Sequence, residues 1–131
     1  MFENLSLNEA CKEQHAMAME KGFEPQPVPI NLMLIVSELG EACEADRKNR
    51  HADLRKFQYY YEHLFQTGES LGSRFKNAFE HEVKDTFEDE IADAFMRLMD
   101  LYGAMNIDIE KHIRMKAEYN LLRPTKHGKS Y

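Results

Sequence analysis

Cysteine is nearly missing from this chain of 131 residues: Cys11 and Cys43 stand alone, without CxxC spacing. A disulfide framework and a zinc knuckle are therefore not expected, and a reducing cytoplasm is. Positive charge is in the minority. Seventeen Lys and Arg meet 23 Asp and Glu, for a formal net charge of −6 and a pI near 5.5. A chain held to DNA or RNA by bulk electrostatics would be basic, so no nucleic-acid partner is expected. Long apolar runs are lacking too. "INLMLIV", residues 30–36, is the longest and falls far short of a membrane span. The first residues, "MFENLSLNEACKEQ", have no basic stretch leading into an apolar one, so no signal peptide is expected. Strand-like alternation is absent, and the six Gly and four Pro are clustered. What remains is helical periodicity in a length that suits one domain, 1–131, with a modest core.

Five helices account for the pattern. "SLNE" is a capping box, with Ser6 as N-cap and Glu9 reaching back, and Gly22 suits the end of that helix. "FEPQPVP" cannot continue it and reads as an extended connector. A second helix begins near Ile30 and carries Leu32, Ile35, Val36, Leu39, Ala42 and Cys43 on one face. A third spans 54–66 with a stripe of Leu54, Phe57, Tyr60, Tyr61, Leu64 and Phe65. After a loop over 67–73, a long fourth helix runs from about Arg74 to Tyr102, its face made by Phe87, Ile91, Ala94, Phe95, Leu98 and Tyr102. "GAMNID" breaks it, and Asp108 is the N-cap of a last helix through Leu122. The expected fold is all-α, a bundle of about five helices. So many amphipathic helices in so short a chain call for some faces to be buried between subunits.

Two heptads carry the chemistry. "SELGEAC" (37–43) and "DEIADAF" (89–95) align without gaps, with acids at the second and fifth places. Glu38 and Glu41 share one side of a helix, as do Glu90 and Asp93, and each pair borders an apolar stripe. Packed antiparallel through those stripes, with Gly40 and Ala92 letting the backbones approach, the helices would bring four carboxylates together. Repulsion and desolvation penalise that arrangement. A hard divalent cation relieves it, and Mg²⁺ or Mn²⁺ takes oxygen ligands while leaving room for water and phosphate. A di-iron bundle wants Glu-x-x-His on two helices, and the chain contains no ExxH. His15, His51, His63, His81, His112 and His127 are scattered and read as surface or capping residues. Glu44 extends the acid row as an outer ligand or, by the habits of Glu, as a solvated acid at a helix end. Lys116, Arg123, Lys126 and Lys129 gather near the C-terminus with Tyr119 and Asn120. Beside a carboxylate–metal site such cations hold phosphate oxygens that the metal does not reach. Together these residues point to metal-assisted attack of water on a phosphoanhydride.

"SELGEACEADR", "FEDEIADAFMRLMDLYG", "NIDIEKHI" and "KAEYNLLRPTKHGK" resemble the MazG-like all-α NTP pyrophosphatases, over residues 7–45 and 79–131. The resemblance implies Mg²⁺-dependent hydrolysis of a nucleoside triphosphate between its α- and β-phosphates, giving the monophosphate and pyrophosphate. It implies metal-binding roles for Glu38, Glu41, Glu90 and Asp93. Lys116 and Asn120 match positions near the phosphates, with Tyr119 and Arg123 beside them, and "HAMAMEKGF" adds His15 and Lys21 as pocket candidates. It also implies a homodimer or a dimer of dimers. Glu41 is the candidate general base. The spacer over 46–78 is longer than in compact members and holds "FQYYYEHLF". That aromatic helix is expected to pack in a core or subunit contact, the functional alternative being Tyr59 or Tyr60 stacked on a base. Two other classes fit the same sequence: a helical adaptor, and a sensor that binds a nucleotide without turning it over.

Overall fold

The computed structural model describes residues 2–64 and 70–124. Every element among them is helical: α1 (Leu7–Glu20), α2 (Val28–Arg47), α3 (Leu54–Tyr59) running into a π-helical turn (Tyr60–Leu64), α4 (Leu71–Glu82), α5 (Phe87–Met105) and α6 (Ile109–Leu121). None of the described helices is long and apolar enough to cross a membrane. The chain divides into two compact units. One comprises Met1–Gln26 with Leu98–Tyr131, and the other Pro27–Arg97.

In the first unit, all three caps read from sequence form. The Ser6 hydroxyl accepts from the Glu9 N–H at 3.2 Å while the Glu9 carboxylate accepts from the Ser6 N–H at 2.8 Å. Gly22, at φ +82°, takes the left-handed position just past α1. Asp108 caps α6 by accepting from the Lys111 N–H at 3.1 Å. The starts of α1 and α6 are tied together, because the Glu110 carboxylate accepts from the Leu7 N–H at 2.8 Å. Between them lies a core of Ala10, Cys11, Met99 and Ile109, flanked by Phe2, Leu7 and Tyr102. Gly103 does not end α5, which continues to Met105. Its role is steric. A Cβ there would collide with the Cys11 carbonyl oxygen and stand 2.8 Å from the His15 Cβ, so α1 and α5 cross with their backbones in contact.

The second unit departs from expectation in four places. First, α2 starts at Val28, because Pro29 falls in the first turn, where a missing N–H costs nothing. Second, α3 widens into the π turn, and Arg74 of α4 supports it by donating to the carbonyls of Tyr61 and Glu62, with its guanidinium 5.3 Å from the Tyr61 ring centre. The remainder of the expected third helix, 65–66, lies outside the described residues. Third, the long helix expected over 74–102 is two helices, which makes six α-helices among the described residues rather than five. Asp85 adopts φ +60°, and the start of α5 is held by Thr86 together with Asp89. The Asp89 N–H donates to the Thr86 hydroxyl at 3.4 Å, and the Asp89 carboxylate accepts from the Asp85 N–H at 2.9 Å. Fourth, the loop expected over 67–73 ends early, with Ser70 capping α4 through the Ser73 N–H at 3.1 Å.

Packing in this unit is aromatic at one end. Phe75 stands edge-on to Phe57 at 5.3 Å and stacks with Phe79 at 6.2 Å. Elsewhere it relies on small side chains: Ala42 and Ala45 of α2, Ala78 of α4 and Ala94 of α5 are its buried hydrophobics. The faces expected to be covered are largely open. Leu32, Val36, Leu39 and Cys43 of α2 are exposed, as are Ile91 and, at 54%, Phe95 of α5 and Leu54 of α3. The helical period correctly groups these residues on common faces. Alanines make the close contacts within the chain and leave the larger neighbours beside them without cover.

Candidate metal centre

Glu38 belongs to α2, while Glu90 and Asp93 belong to the first turns of α5. The Thr86 cap determines where α5 starts and hence where these two acids stand: the Glu90 N–H is the donor that closes the first turn, onto the Thr86 carbonyl at 3.0 Å. Carboxylate oxygens of Glu38, Glu90 and Asp93 all lie within 4.8 Å of one another. Gly40 does not create this approach, since a Cβ there would meet nothing within 4 Å, and Ala92 is exposed. The buried alanines 42, 45 and 94 are the small residues of these two helices that are packed away.

Three carboxylates so close cannot all ionise freely. Glu90 is 8% exposed, and its pKa is pushed up to about 7, by burial first and then by the charges of Glu41, Glu38, Asp89 and Asp93. Every one of those influences raises it. Asp93, although exposed overall, is raised as well, by partial desolvation of its carboxyl first and then by Asp89, Glu38 and Glu41, with Arg97 alone acting the other way. Arg97 donates from Nε to Glu38 Oε1 at 2.7 Å. An all-oxygen, all-carboxylate donor set of this kind suits a hard divalent cation, and the raised Glu90 carboxyl is in keeping with a buried acid among more negative charge than Arg97 offsets.

Of the four acids read from sequence, three converge. Glu41 is exposed and outside the cluster of three, although its charge is the largest single neighbouring charge acting on Glu90. Glu44 is engaged at the end of α2 by Arg47 at 2.7 Å and Lys48 at 3.0 Å; the hydrogen bond from Arg47, followed by that from Lys48, draws its carboxyl down to about 2. Arg97 is the site residue that sequence reasoning missed. Helical spacing offered the signal, since Arg97 falls four residues after Asp93 and seven after Glu90.

The residues matched to phosphate binding belong to the other unit. Tyr119 is clasped between two cations, with Lys116 Nζ 5.0 Å and Arg123 Cζ 5.7 Å from its ring centre. Lys116 and Asn120 line an open depression of about 510 Å³ with Tyr102, His112 and Ile113. His112, one of the scattered histidines, thus stands one turn before Lys116 in the same wall. His15 is paired through Nδ1 with Asp100 at 2.8 Å, and Lys21 closes the end of α1. Lys126, His127 and Lys129 lie outside the described residues. In the aromatic segment Tyr59 is 53% exposed, whereas Tyr60 and Tyr61 are half-buried, with the Tyr60 ring 5.2 Å from that of His81.

No family model, no curated protein and no solved structure matches this chain.

Proposed function

We propose that the protein is a divalent-metal-dependent nucleoside triphosphate pyrophosphohydrolase, which cleaves between the α- and β-phosphates to release the monophosphate and pyrophosphate. The convergence of Glu38 with Glu90 and Asp93, 52 and 55 residues away in sequence, carries this reading. Folding alone gives no reason to gather acids that repel one another. Glu38, Glu90 and Asp93 would hold Mg²⁺, with Mn²⁺ as a substitute. When bound, such a cation neutralises the carboxylates, polarises phosphate oxygens and lowers the pKa of water.

The chain's own groups have separable tasks. Glu41 is exposed and adds negative charge beside the cluster, which suits a carboxylate that takes the proton from the attacking water. Arg97 holds Glu38 by one oxygen and leaves its other oxygen for a ligand. Lys116, Asn120 and Arg123, with Tyr119, are the proposed phosphate and nucleotide contacts. The uncovered apolar residues of α2, among them Met33 at 65% exposure, support a homodimer or dimer of dimers as the working state, because helices apolar on several sides are normally buried. A nucleotide-binding sensor or a helical adaptor is the competing class.

A panel of ribo- and deoxyribonucleoside triphosphates with Mg²⁺, scored for pyrophosphate release, tests the proposal. Expected is release from at least one nucleotide, lost with EDTA and lost in Glu38→Gln and Asp93→Asn. Binding of a nucleotide without release would identify the sensor, and neither binding nor release would leave the adaptor.

A further inference from the structure

Arg97 is the one cation recorded against the acid cluster among the described residues. It donates from Nε to Glu38 Oε1 at 2.7 Å. Its side chain is 45% exposed while that of Glu38 is 12% exposed, so the pair sits with the carboxylate inward and the guanidinium outward.

The manner of contact matters. A guanidinium whose task is to lock a carboxylate uses its fork, two parallel N–H groups on two oxygens. Arg97 reaches Glu38 through Nε, and no hydrogen bond from its terminal nitrogens is present among the described residues. Four N–H donors therefore remain on those nitrogens, on the solvent side of a cluster built for a divalent cation. Charge counting points the same way. Three ionised carboxylates carry −3 and a divalent cation supplies only +2, so Arg97 adds positive charge where the cation leaves a deficit. An anion bound to that cation then meets a planar cationic edge, not bare carboxylates. An ion pair with its guanidinium half-exposed contributes little to folding, so stability gives no reason for this one-point contact.

We propose that Arg97 binds phosphate: its terminal nitrogens hold oxygens of the pyrophosphate portion of a metal-bound polyphosphate, while Nε keeps Glu38 in place. The inference rests on the metal-site reading above and names the anion that the site takes together with its cation. Planar bidentate recognition of phosphate is what guanidinium does and ammonium does not.

The test measures binding of inorganic pyrophosphate to the full chain in excess Mg²⁺, by calorimetry and by melting, for wild type, Arg97→Met and Arg97→Lys. Expected is a Mg²⁺-dependent rise in melting temperature in all three, with pyrophosphate affinity about tenfold to a hundredfold weaker in Arg97→Met, the range for losing a charge-assisted contact. Arg97→Lys should recover part of that loss. Wild-type affinity in Arg97→Met overturns the inference, and so does a wild type that binds no pyrophosphate. Loss of the Mg²⁺ response in Arg97→Met also overturns it, because Arg97 would then serve the metal ligands alone. Should Arg97→Met fail to fold, Arg97→Lys decides, and affinity equal to wild type sinks the idea. Failure of the proposed function looks different: Arg97-dependent pyrophosphate binding without hydrolysis of any nucleotide refutes the enzyme and leaves the phosphate site standing.

Discussion

Glu90→Gln should stabilise the metal-free protein at pH 8, although it alters a buried side chain. The Glu90 carboxyl titrates at about 7 in the folded chain against an ordinary 4.5. An acid raised in this way favours the protonated native state. Its penalty is absent below about pH 4.5, grows as pH rises from there to about 7, and is complete above it. Converted directly, the difference is about 3.4 kcal/mol at 1.36 kcal/mol per unit of pKa. Water around the exposed Glu41 and Asp93 screens their repulsion, so about 1–2 kcal/mol should remain. Gln copies the size of the protonated acid and removes its charge, so the variant should match wild type at pH 4.5 and exceed it at pH 8. Urea unfolding of both proteins in EDTA, at pH 4.5, 6, 7 and 8, gives the difference directly and cancels the titration of all other groups. Saturating Mg²⁺ should reverse the order at pH 8, because the cation stabilises only the form that can ligate it. A difference independent of pH in EDTA would refute the reasoning, for the carboxyl would then be ordinary and the cluster unstrained.

Four further outcomes are expected. Millimolar Mg²⁺ or Mn²⁺ should raise the melting temperature of the wild type and not of Glu38→Gln, and an unresponsive wild type would count against the site. Gly103→Ala should cost on the order of 3 kcal/mol, at the upper end for overpacking, since the added methyl meets the Cys11 backbone and the His15 Cβ, neither of which is the far end of a flexible side chain; a wild-type melting curve would show that the α1–α5 crossing is looser than described. Tyr61→Ala should cost about 2 kcal/mol by removing a half-buried ring that stacks on Phe57 and lies under Arg74, while Tyr59→Ala should stay within about 0.5 kcal/mol; equal melting temperatures would mean that the buried face of α3 has been misassigned. Lys116→Ala should raise the KM for nucleotide and leave melting unchanged, because Lys116 is exposed on α6; unchanged kinetics would make it a surface residue.

What was legible in the sequence had a short-range cause. Ser6 with Glu9, Asp108 with Lys111 and the end of α1 at Gly22 depend on residues three or four apart, and each forms where the pattern placed it. The acid pairs were legible for the same reason, since an i, i+3 spacing fixes their common side on any helix. The break at Thr86 was not, although its cap, "TFED", is also local. The apolar period runs on through it, and a continuous period outweighed a cap in the middle of it. Arg97 was overlooked because its partner is Glu38, 59 residues away, and only the fold supplies that contact. Burial was the least legible property. Periodicity states which residues share a face of α2 or α5, but not whether the same chain provides something to cover it.

The first turn of α5 separates folding from function most clearly. Glu88, Asp89 and Glu90 are consecutive acids at a helix N-terminus, a place that favours negative charge. Glu88 accepts from the Ala52 N–H at 2.8 Å and meets His51 at 3.1 Å, and its carboxyl is lowered, mainly by the first of these bonds. Asp89 accepts from the Asp85 N–H with its carboxylate and donates its own N–H to the Thr86 hydroxyl. Those two acids already serve the helix start and the connection to the end of α2. Glu90 gains nothing comparable: despite the favourable helix end, everything acting on it raises its pKa. A buried acid without a compensating partner is destabilising where it stands, and Gln or Met would fill the same volume without that cost. Under the proposed function its presence has a reason: with the two other carboxylates whose oxygens lie within 4.8 Å, it would complete an all-oxygen donor set of the kind that small, hard cations take.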